Sequence, residues 1–401
     1  MVPTGAKPLP AVIVLVKKGL MSEWVVIPAE VACSPGDSVS VCPMEGGALR
    51  LYSALTFGSS APLTLPSSTH TDLDQVFSNE CLCDPMELLQ CCEDALRDGA
   101  PRFQRTFVHL NQGGGAIRVM QWNILAQALG EGLDSFVRCP LEALSWSHRK
   151  LLILEEVLAY RPHILCLQEV DHYYDTLQPA LAALGYSGHF CPKPWSLCLD
   201  VEGNNGPDGC ALFYDRSRFE FIDSVNIGLT ALKIPTNQVA VATTLRCKRT
   251  GRRVCVAATH LKARSGWEWL RSAQGLDLLV HLENLVQNQD ASLIVCGDFN
   301  AVPTEEVYRD FLASPLGLES ACKELSQDGS SEPDYTTWKI RSTGECCATL
   351  DYIWYSRDAL RVDAVLDVPS EEEIGPDRLP SFSYPSDHLS LVCDFSFREE
   401  E

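Results

Sequence analysis

The chain has 401 residues, 46% apolar and 21% charged, enough for one large domain with an N-terminal extension. Its 32 basic and 53 acidic residues leave a formal charge of −21, which weighs against a protein that grips long nucleic acid through many phosphates. No apolar run approaches the ~20 residues a membrane-spanning helix needs.

Residues 1–80 read as a leader and linker, most of it without steady periodicity or fixed structure. The run from Ala11 to Val16 stops at Lys17-Lys18. As a transit peptide the leader is poor, because Glu23, Glu30, Asp37 and Glu45 intrude and Arg50 is its one arginine. Eighteen cysteines with no secretory pattern suit a reducing compartment. The expected address is cytoplasmic, with mitochondrial or nuclear forms open. Cys81, Cys83, Cys91 and Cys92 lack the second half of a zinc-binding pattern. Cys166, Cys210, Cys255, Cys296 and Cys393 sit in apolar runs and read as buried thiols.

Residues 81–110 form a short helical extension. Its amphipathic stretch carries Leu88, Cys92 and Leu96 on one face with Asp84 as N-cap, a partner-binding segment or, more commonly, a helix that packs on its own domain. From 115 to 398 the texture is that of one domain. A strand over 117–122 precedes a helix that Ser147 would cap and that Pro162 stops after Tyr160. A buried strand over 163–167 leads to a helix over 171–184 closed by Gly185. Strands at 209–214, 219–227, 239–245 and 254–259 follow in succession, then a long helix from Trp267 to about Gln287 and strands at 293–296, 350–355 and 389–395. The order predicts an α/β fold: two packed, mainly antiparallel β-sheets flanked by helices, a four-layer α/β sandwich. No internal repeat is present, which excludes a leucine-rich module.

Polar residues recur where these strands run out: Asn123, Gln168-Glu169, His260, Gly297-Asp298-Phe299-Asn300, Asp351 and Ser386-Asp387-His388. Singly, each has a bland reading as a solvated acid, an Asx turn or a satisfied strand-end histidine. Together they fill every role that displacement at phosphorus requires. Mg²⁺ takes oxygen ligands, typically one or two carboxylates plus a substrate phosphate, and Glu169 supplies that carboxylate with Asn123 and Asp387 beside it. Asp298 could hold and deprotonate a water, while Asn300, His260 and His388 donate to phosphate oxygens. Asp351 could accept from His388 and fix its tautomer. Lys193, Lys262, Arg264, Lys339 and Arg341 lie in segments adjoining these acids and form a local basic pocket in an acidic chain. Trp195 and Trp338 could stack on a base.

In this order, Gln168-Glu169-Val170, Thr259-His260, Gly297-Asp298-Phe299-Asn300, Leu350-Asp351-Tyr352 and Ser386-Asp387-His388 resemble the exonuclease–endonuclease–phosphatase superfamily. Further segments, among them the runs 121–127, Lys193-Pro194-Trp195, 204–209, 260–264, 335–341 and 378–382, resemble its deadenylase-like branch over residues 83–397. The resemblance implies a Mg²⁺-dependent phosphatase that removes the 2′-phosphate of NADP⁺ or NADPH, and it carries a family link to daily rhythms. It implies Glu169 as the metal ligand, and Asp298, Asn300, His260, Asp351 and His388 as the remaining catalytic residues. Asn123, Lys193, Pro194, Trp195, Asn237, the run His260, Leu261, Lys262 and Ala263, with Arg264, Phe299 and Arg341, would line the substrate site. Poly(A) removal is the first alternative, with RNA the less favoured substrate. A regulatory scaffold with a lapsed site is the second, disfavoured because Glu169, Asp298, Asp351 and His388 are all present. Sugar-lipid and inositol phosphatases stand third. No protein partner is legible.

Overall fold

Two parallel strand pairs decide the architecture. In one, Ile117–Asn123 lies beside Ile164–Val170; in the other, Arg253–His260 lies beside Ser292–Asp298. A parallel pair needs a crossover longer than a hairpin turn. The helices Trp146–Tyr160 and Glu268–Gln289 supply the two crossovers. The computed structural model describes residues 12–18, 21–27, 84–96, 102–111 and 117–399.

Each parallel pair is extended by antiparallel neighbours. One sheet has seven strands in the order Phe107–His109, Leu360–Leu366, Leu391–Phe397, Ile117–Asn123, Ile164–Val170, Gly209–Asp215, Tyr186–Pro192. The other has six: Leu318–Ser320, Asp351–Ser356, Ser292–Asp298, Arg253–His260, Ile234–Cys247, Phe219–Ala231. The sheets pack face to face through Val119, Cys166, Val241, Ile294, Cys296 and Phe395. On the outer face of the larger sheet, Ile153, Val157 and Leu181 cover Trp122, Leu165 and Phe213. On the smaller sheet, Leu278, Leu282 and Phe311 cover Leu293, Val295 and Trp354. The result is the four-layer sandwich expected. Each such side chain contributes roughly 1.5–3 kcal/mol on burial, and Cys166, Cys210, Cys255, Cys296 and Cys393 are buried free thiols among them.

Local chemistry explains where the elements depart from expectation. The first crossover helix starts at Trp146 with Ser145, not Ser147, in the cap position; the Ser147 hydroxyl is instead 3.1 Å from that of Ser145. The single helix expected over 171–184 is a wide π-type turn, Tyr173–Leu177, followed by the short helix Gln178–Ala183. Pro179 has no N–H to continue the ladder from the preceding turn. The strand Tyr186–Pro192 escaped notice because an edge strand carries no clear alternation of buried and exposed residues. Leu360–Leu366 escaped because Asp363 sits in its middle, where Arg361 and the Ser396 hydroxyl bond its carboxylate.

Asp84 caps the helix Pro85–Ala95, accepting from Met86 N at 2.9 Å. Leu88 and Cys92 bury against Leu154, Leu158 and Ala180, so this helix packs on its own domain. Cys81 and Cys83 lie outside the described residues, as does most of the 1–80 leader and linker. The segment Met1–His70 is a unit of its own; in it Val12–Lys18 pairs antiparallel with Met21–Ile27, Leu15 opposite Trp24. Among the described residues no helix is long and apolar enough to cross a membrane.

Gly297 lies opposite Thr259 in the parallel pair. A Cβ there would meet the Thr259 carbonyl oxygen at 2.6 Å and its Cγ2 at 2.8 Å, so neither strand could keep its place. Gly297→Ala is expected to destabilise the domain by about 1–3 kcal/mol, the usual range for overpacking. Urea unfolding would measure it, and an unchanged midpoint would remove this contact from the account of the fold.

Candidate functional site

The C-terminal ends of the two parallel pairs come together, the place where open α/β sheets bind ligands. In register, Asn123 stands opposite Gln168 and His260 opposite Asp298, with Asp298 opposite Asp351 on its other side. One amide links the sheets: Asn123 Nδ2 donates to Glu169 Oε1 at 3.0 Å and to Asp298 Oδ2 at 3.0 Å. Its Oδ1 accepts from Leu125 N at 3.0 Å, which settles the orientation of the amide. Glu169 Oε2 accepts from Ala126 N at 3.2 Å. Both oxygens of Glu169 thus meet N–H donors, and no cation is paired with its carboxylate among the described residues. Glu169 reaches this position from a left-handed backbone, φ 55°, an uncommon conformation for a non-glycine residue.

Across the site, His388 Nδ1 is 2.9 Å from Asp351 Oδ2, and Thr336 Oγ1 donates to the same oxygen at 2.6 Å. His388 Nε2 points toward Asp298 Oδ2 at 3.8 Å, and His260 Nε2 is 3.5 Å from that oxygen. Ser386 braces the last strand's approach by donating from Oγ to Asn123 O at 2.6 Å and accepting from His388 N at 3.1 Å. Gln121 and Gln168 exchange amide hydrogen bonds at 2.6 and 2.8 Å beneath the site. Asn300 donates its backbone N–H to Asp298 Oδ1 at 2.8 Å and its side-chain Nδ2 to Leu261 O at 3.1 Å.

Cations in the site are held by acids. Lys339 Nζ lies 2.5 Å from Asp387 Oδ2, and Arg341 Nη2 reaches the same oxygen at 3.2 Å while also pairing with Asp134. Lys193 Nζ is 2.6 Å from Asp208 Oδ2, and the Ser196 hydroxyl donates to the other oxygen of Asp208. Burial works to raise Asp387, but Lys339, His388 and Arg341 hold it well below the usual carboxylate range. Burial pushes Asp134 up to about 6 despite Arg341.

The two histidines diverge. Burial lowers His260 to about 4, aided by the Lys193 charge and opposed by Asp298. Burial also works against protonation of His388. The Asp351 carboxylate, with Asp298 and Asp387, outweighs both burial and the Lys339 ammonium 3.3 Å from Nε2, and raises the ring to about 9. At neutral pH His260 is neutral and His388 is a cation.

The structure therefore gathers Asn123, Glu169, His260, Asp298, Asp351 and His388 at one place, with Asn300 and Arg341 at its margin. Leu261 and Phe299 are different: their side chains are fully buried in the outer core of the smaller sheet, leaving only backbone to face a ligand. Trp338 corrects the stacking expectation. It is buried, with Nε1 donating to Glu345 and Arg378 over its ring at 3.9 Å, so that face is taken. Trp195 is 39% exposed beside the exposed Pro194. Lys262 lies over the Trp267 ring at 5.5 Å, and the neighbouring Ala263 and Arg264 are exposed. Asn237 sits half-buried just beyond the stretch of Ile234–Cys247 that pairs with Arg253–His260, at the same end as His260. Thr336, Asp208 and Asp134 were not singled out from sequence. Each lies in or near a quoted motif, but its role depends on a partner up to about two hundred residues away, such as Arg341 for Asp134.

Asp298, Asp351 and His388 offer ligand atoms within 4.8 Å of one another. Within that group, Nδ1 of His388 faces Asp351 at 2.9 Å and Nε2 faces Asp298 at 3.8 Å. The carboxylate whose hydrogen bonds come from N–H groups alone, with no ion pair among the described residues, is that of Glu169.

The Endonuclease/Exonuclease/phosphatase family matches residues 120–388. Nocturnin from Rattus norvegicus is 62% identical over 371 residues, covering 90% of this chain and 85% of the relative. A structure of the human Nocturnin catalytic domain with bound sulfate anion is 60% identical with a TM-score of 0.64, covering 74% of this chain and 99% of that one. ANGEL2, described as a 2′,3′-cyclic phosphatase and solved with adenosine-2′,3′-vanadate, is 25% identical with a TM-score of 0.61, covering 73% and 98%.

The histidine states are testable in metal-free protein. In NMR titrations the His388 ring is expected to titrate near pH 9 and His260 near 4, and Asp351→Asn should bring His388 down by more than one unit. Since His388 is raised above its ordinary 6.5, its contribution to stability is complete below pH 6.5 and is lost as pH rises through about 9. Urea midpoints that follow the same course from pH 6.5 to 9 in wild type and Asp351→Asn would refute the pairing as the cause.

Proposed function

This chain belongs to the nocturnin family of endonuclease/exonuclease/phosphatase proteins, and from that premise we propose that it is a Mg²⁺-dependent phosphatase removing the 2′-phosphate from NADP⁺ and NADPH. The observation that carries the hydrolase reading is the Asn123 amide shared between Glu169 and Asp298 at 3.0 Å each. It joins the carboxylate suited to a cation with the carboxylate suited to a water.

Mg²⁺ fits this donor set. Asp387 is already neutralised by Lys339 and Arg341, Asp351 is engaged by His388 and Thr336, and Glu169 is the acid left with N–H partners alone. A protein site of one carboxylate completed by water and substrate phosphate is ordinary for this ion. When bound, the ion would neutralise phosphate charge and polarise the ester. Asp298 holds the attacking water and takes its proton, while Asn123 keeps its carboxylate in line with Glu169. His388, charged and oriented by Asp351, donates to a phosphate oxygen as negative charge builds there. His260, neutral, donates from Nε2 beside it. Asn300 keeps Asp298 in place through its backbone N–H.

Two considerations support the choice of substrate. The charge of −21 disfavours a long polyanion, whereas Lys193, Lys339 and Arg341 can serve a few phosphates locally. ANGEL2, a relative in fold and sequence, was solved with a vanadate on the ribose 2′ and 3′ oxygens of adenosine, the part of NADP(H) that carries the 2′-phosphate.

With Mg²⁺, the purified protein is expected to release phosphate from NADPH and NADP⁺, yielding NADH and NAD⁺, faster than it shortens oligo(A). Trimming of oligo(A) with inert NADPH would replace the proposal by a deadenylase. Glu169→Ala is expected to lower turnover roughly a hundredfold or more. Near-normal rates in that variant at the same Mg²⁺ concentration would remove Glu169 from the metal.

A further inference from the structure

Arg149 is fully buried on the crossover helix Trp146–Tyr160, and among the described residues its guanidinium hydrogen-bonds to backbone carbonyls. Nη1 donates to Ile124 O at 3.0 Å, Leu125 O at 2.9 Å and Pro385 O at 3.1 Å, and Nε donates to Leu144 O at 3.0 Å. Nη2 has no hydrogen-bond partner among the described residues. No carboxylate lies within ion-pair distance of it among those residues, an uncommon state for a buried charge.

The carbonyls it holds belong to the peptide units that orient the site. A trans peptide is planar, with its C=O and N–H pointing in opposite directions. The Ile124 carbonyl shares a peptide with Leu125 N–H, which donates to Asn123 Oδ1 at 3.0 Å. The Leu125 carbonyl shares one with Ala126 N–H, which donates to Glu169 Oε2 at 3.2 Å. With the guanidinium drawing both carbonyls inward, both N–H groups are turned outward onto the two side chains. Leu125 lies between these peptides at φ 59°, a costly conformation for leucine that needs such a restraint. The Pro385 contact anchors the turn that carries Ser386, Asp387 and His388 to the same point.

We infer that Arg149 is a positioning residue: by fixing the peptides on either side of Leu125 it sets the Asn123 amide and the Glu169 carboxylate for the cation. The inference rests on the reading of Glu169 as the metal-holding acid. It requires arginine, because a planar fork of five donors can span three chain segments where an ammonium cannot.

Binding of Mn²⁺, an EPR-visible stand-in for Mg²⁺, to the full chain without substrate separates the two readings. Arg149→Lys is expected to remain folded by circular dichroism and to bind Mn²⁺ about 10–100-fold more weakly, the range for a group that orients a metal ligand. Arg105→Lys, at another buried arginine that instead bonds Ser390 Oγ and Asp367 O, is expected to bind it as wild type does. Should Arg149→Lys not fold, Gly130→Ala decides. Its new Cβ would stand 3.2 Å from Leu125 Cδ2 and 3.4 Å from Arg149 Nη2, and several-fold weaker binding is expected. Wild-type affinity in Arg149→Lys, or in Gly130→Ala where only that variant folds, overturns the role of Arg149. Wild-type affinity in Glu169→Ala overturns instead the reading beneath it.

Discussion

The chemistry of the two sheets meets in one side-chain amide. Asn123 Nδ2 has two hydrogens, and each is spent on a carboxylate from a different sheet, Glu169 and Asp298. Two acids brought this close repel and resist ionisation, and a shared donor offsets that. The arrangement works only if both parallel pairs end at the same level. A slip of one residue in either would turn every side chain to the opposite face. The apolar packing between the sheets, through Val119, Cys166, Ile294 and Cys296, is therefore a condition of the site as well as of the fold. Gly297 belongs to the same requirement: without a side chain it lets Asp298 arrive beside His260.

The histidine pair illustrates how partners decide which of two similarly buried rings carries charge. His260 and His388 are both nearly inaccessible and both face Asp298. His388 also has Asp351 at 2.9 Å on its other nitrogen, whereas the buried Nδ1 of His260 has no partner among the described residues. A second carboxylate on the far side of the ring converts one histidine into a cation and leaves its neighbour neutral. That gives the site two kinds of donor from one residue type.

Much of this was legible in the sequence, because strand-end motifs are local. Gln168-Glu169, Gly297-Asp298-Phe299-Asn300 and Ser386-Asp387-His388 each follow or precede an apolar strand, and a shared location follows once the strands align. The alternation of strands and helices gave the four layers for the same reason. What stayed hidden depended on distant partners. Arg149 reads as one more charge on an amphipathic helix until its carbonyls are known, and Lys193 reads as free until Asp208 lies beside it. Trp338 failed as a stacking platform because Arg378, forty residues on, covers its face. Leu261 and Phe299 sit inside functional motifs but alternate inward, as strand-end neighbours do.

The pinned cations also bear on what the site can admit. Lys193, Lys339 and Arg341 each already hold an acid: Asp208, Asp387, and Asp134 with Asp387. An incoming phosphate does not find bare positive charge. It must share these groups with carboxylates that stay behind, so each contact is worth less than an unpaired lysine would offer. On the proposed reading, a cation held at Glu169 would make up the difference for a ligand with one or two phosphates there. On that reading too, the pairing that keeps these buried charges tolerable would favour short esters, a selection set by electrostatics before any base or ring is recognised.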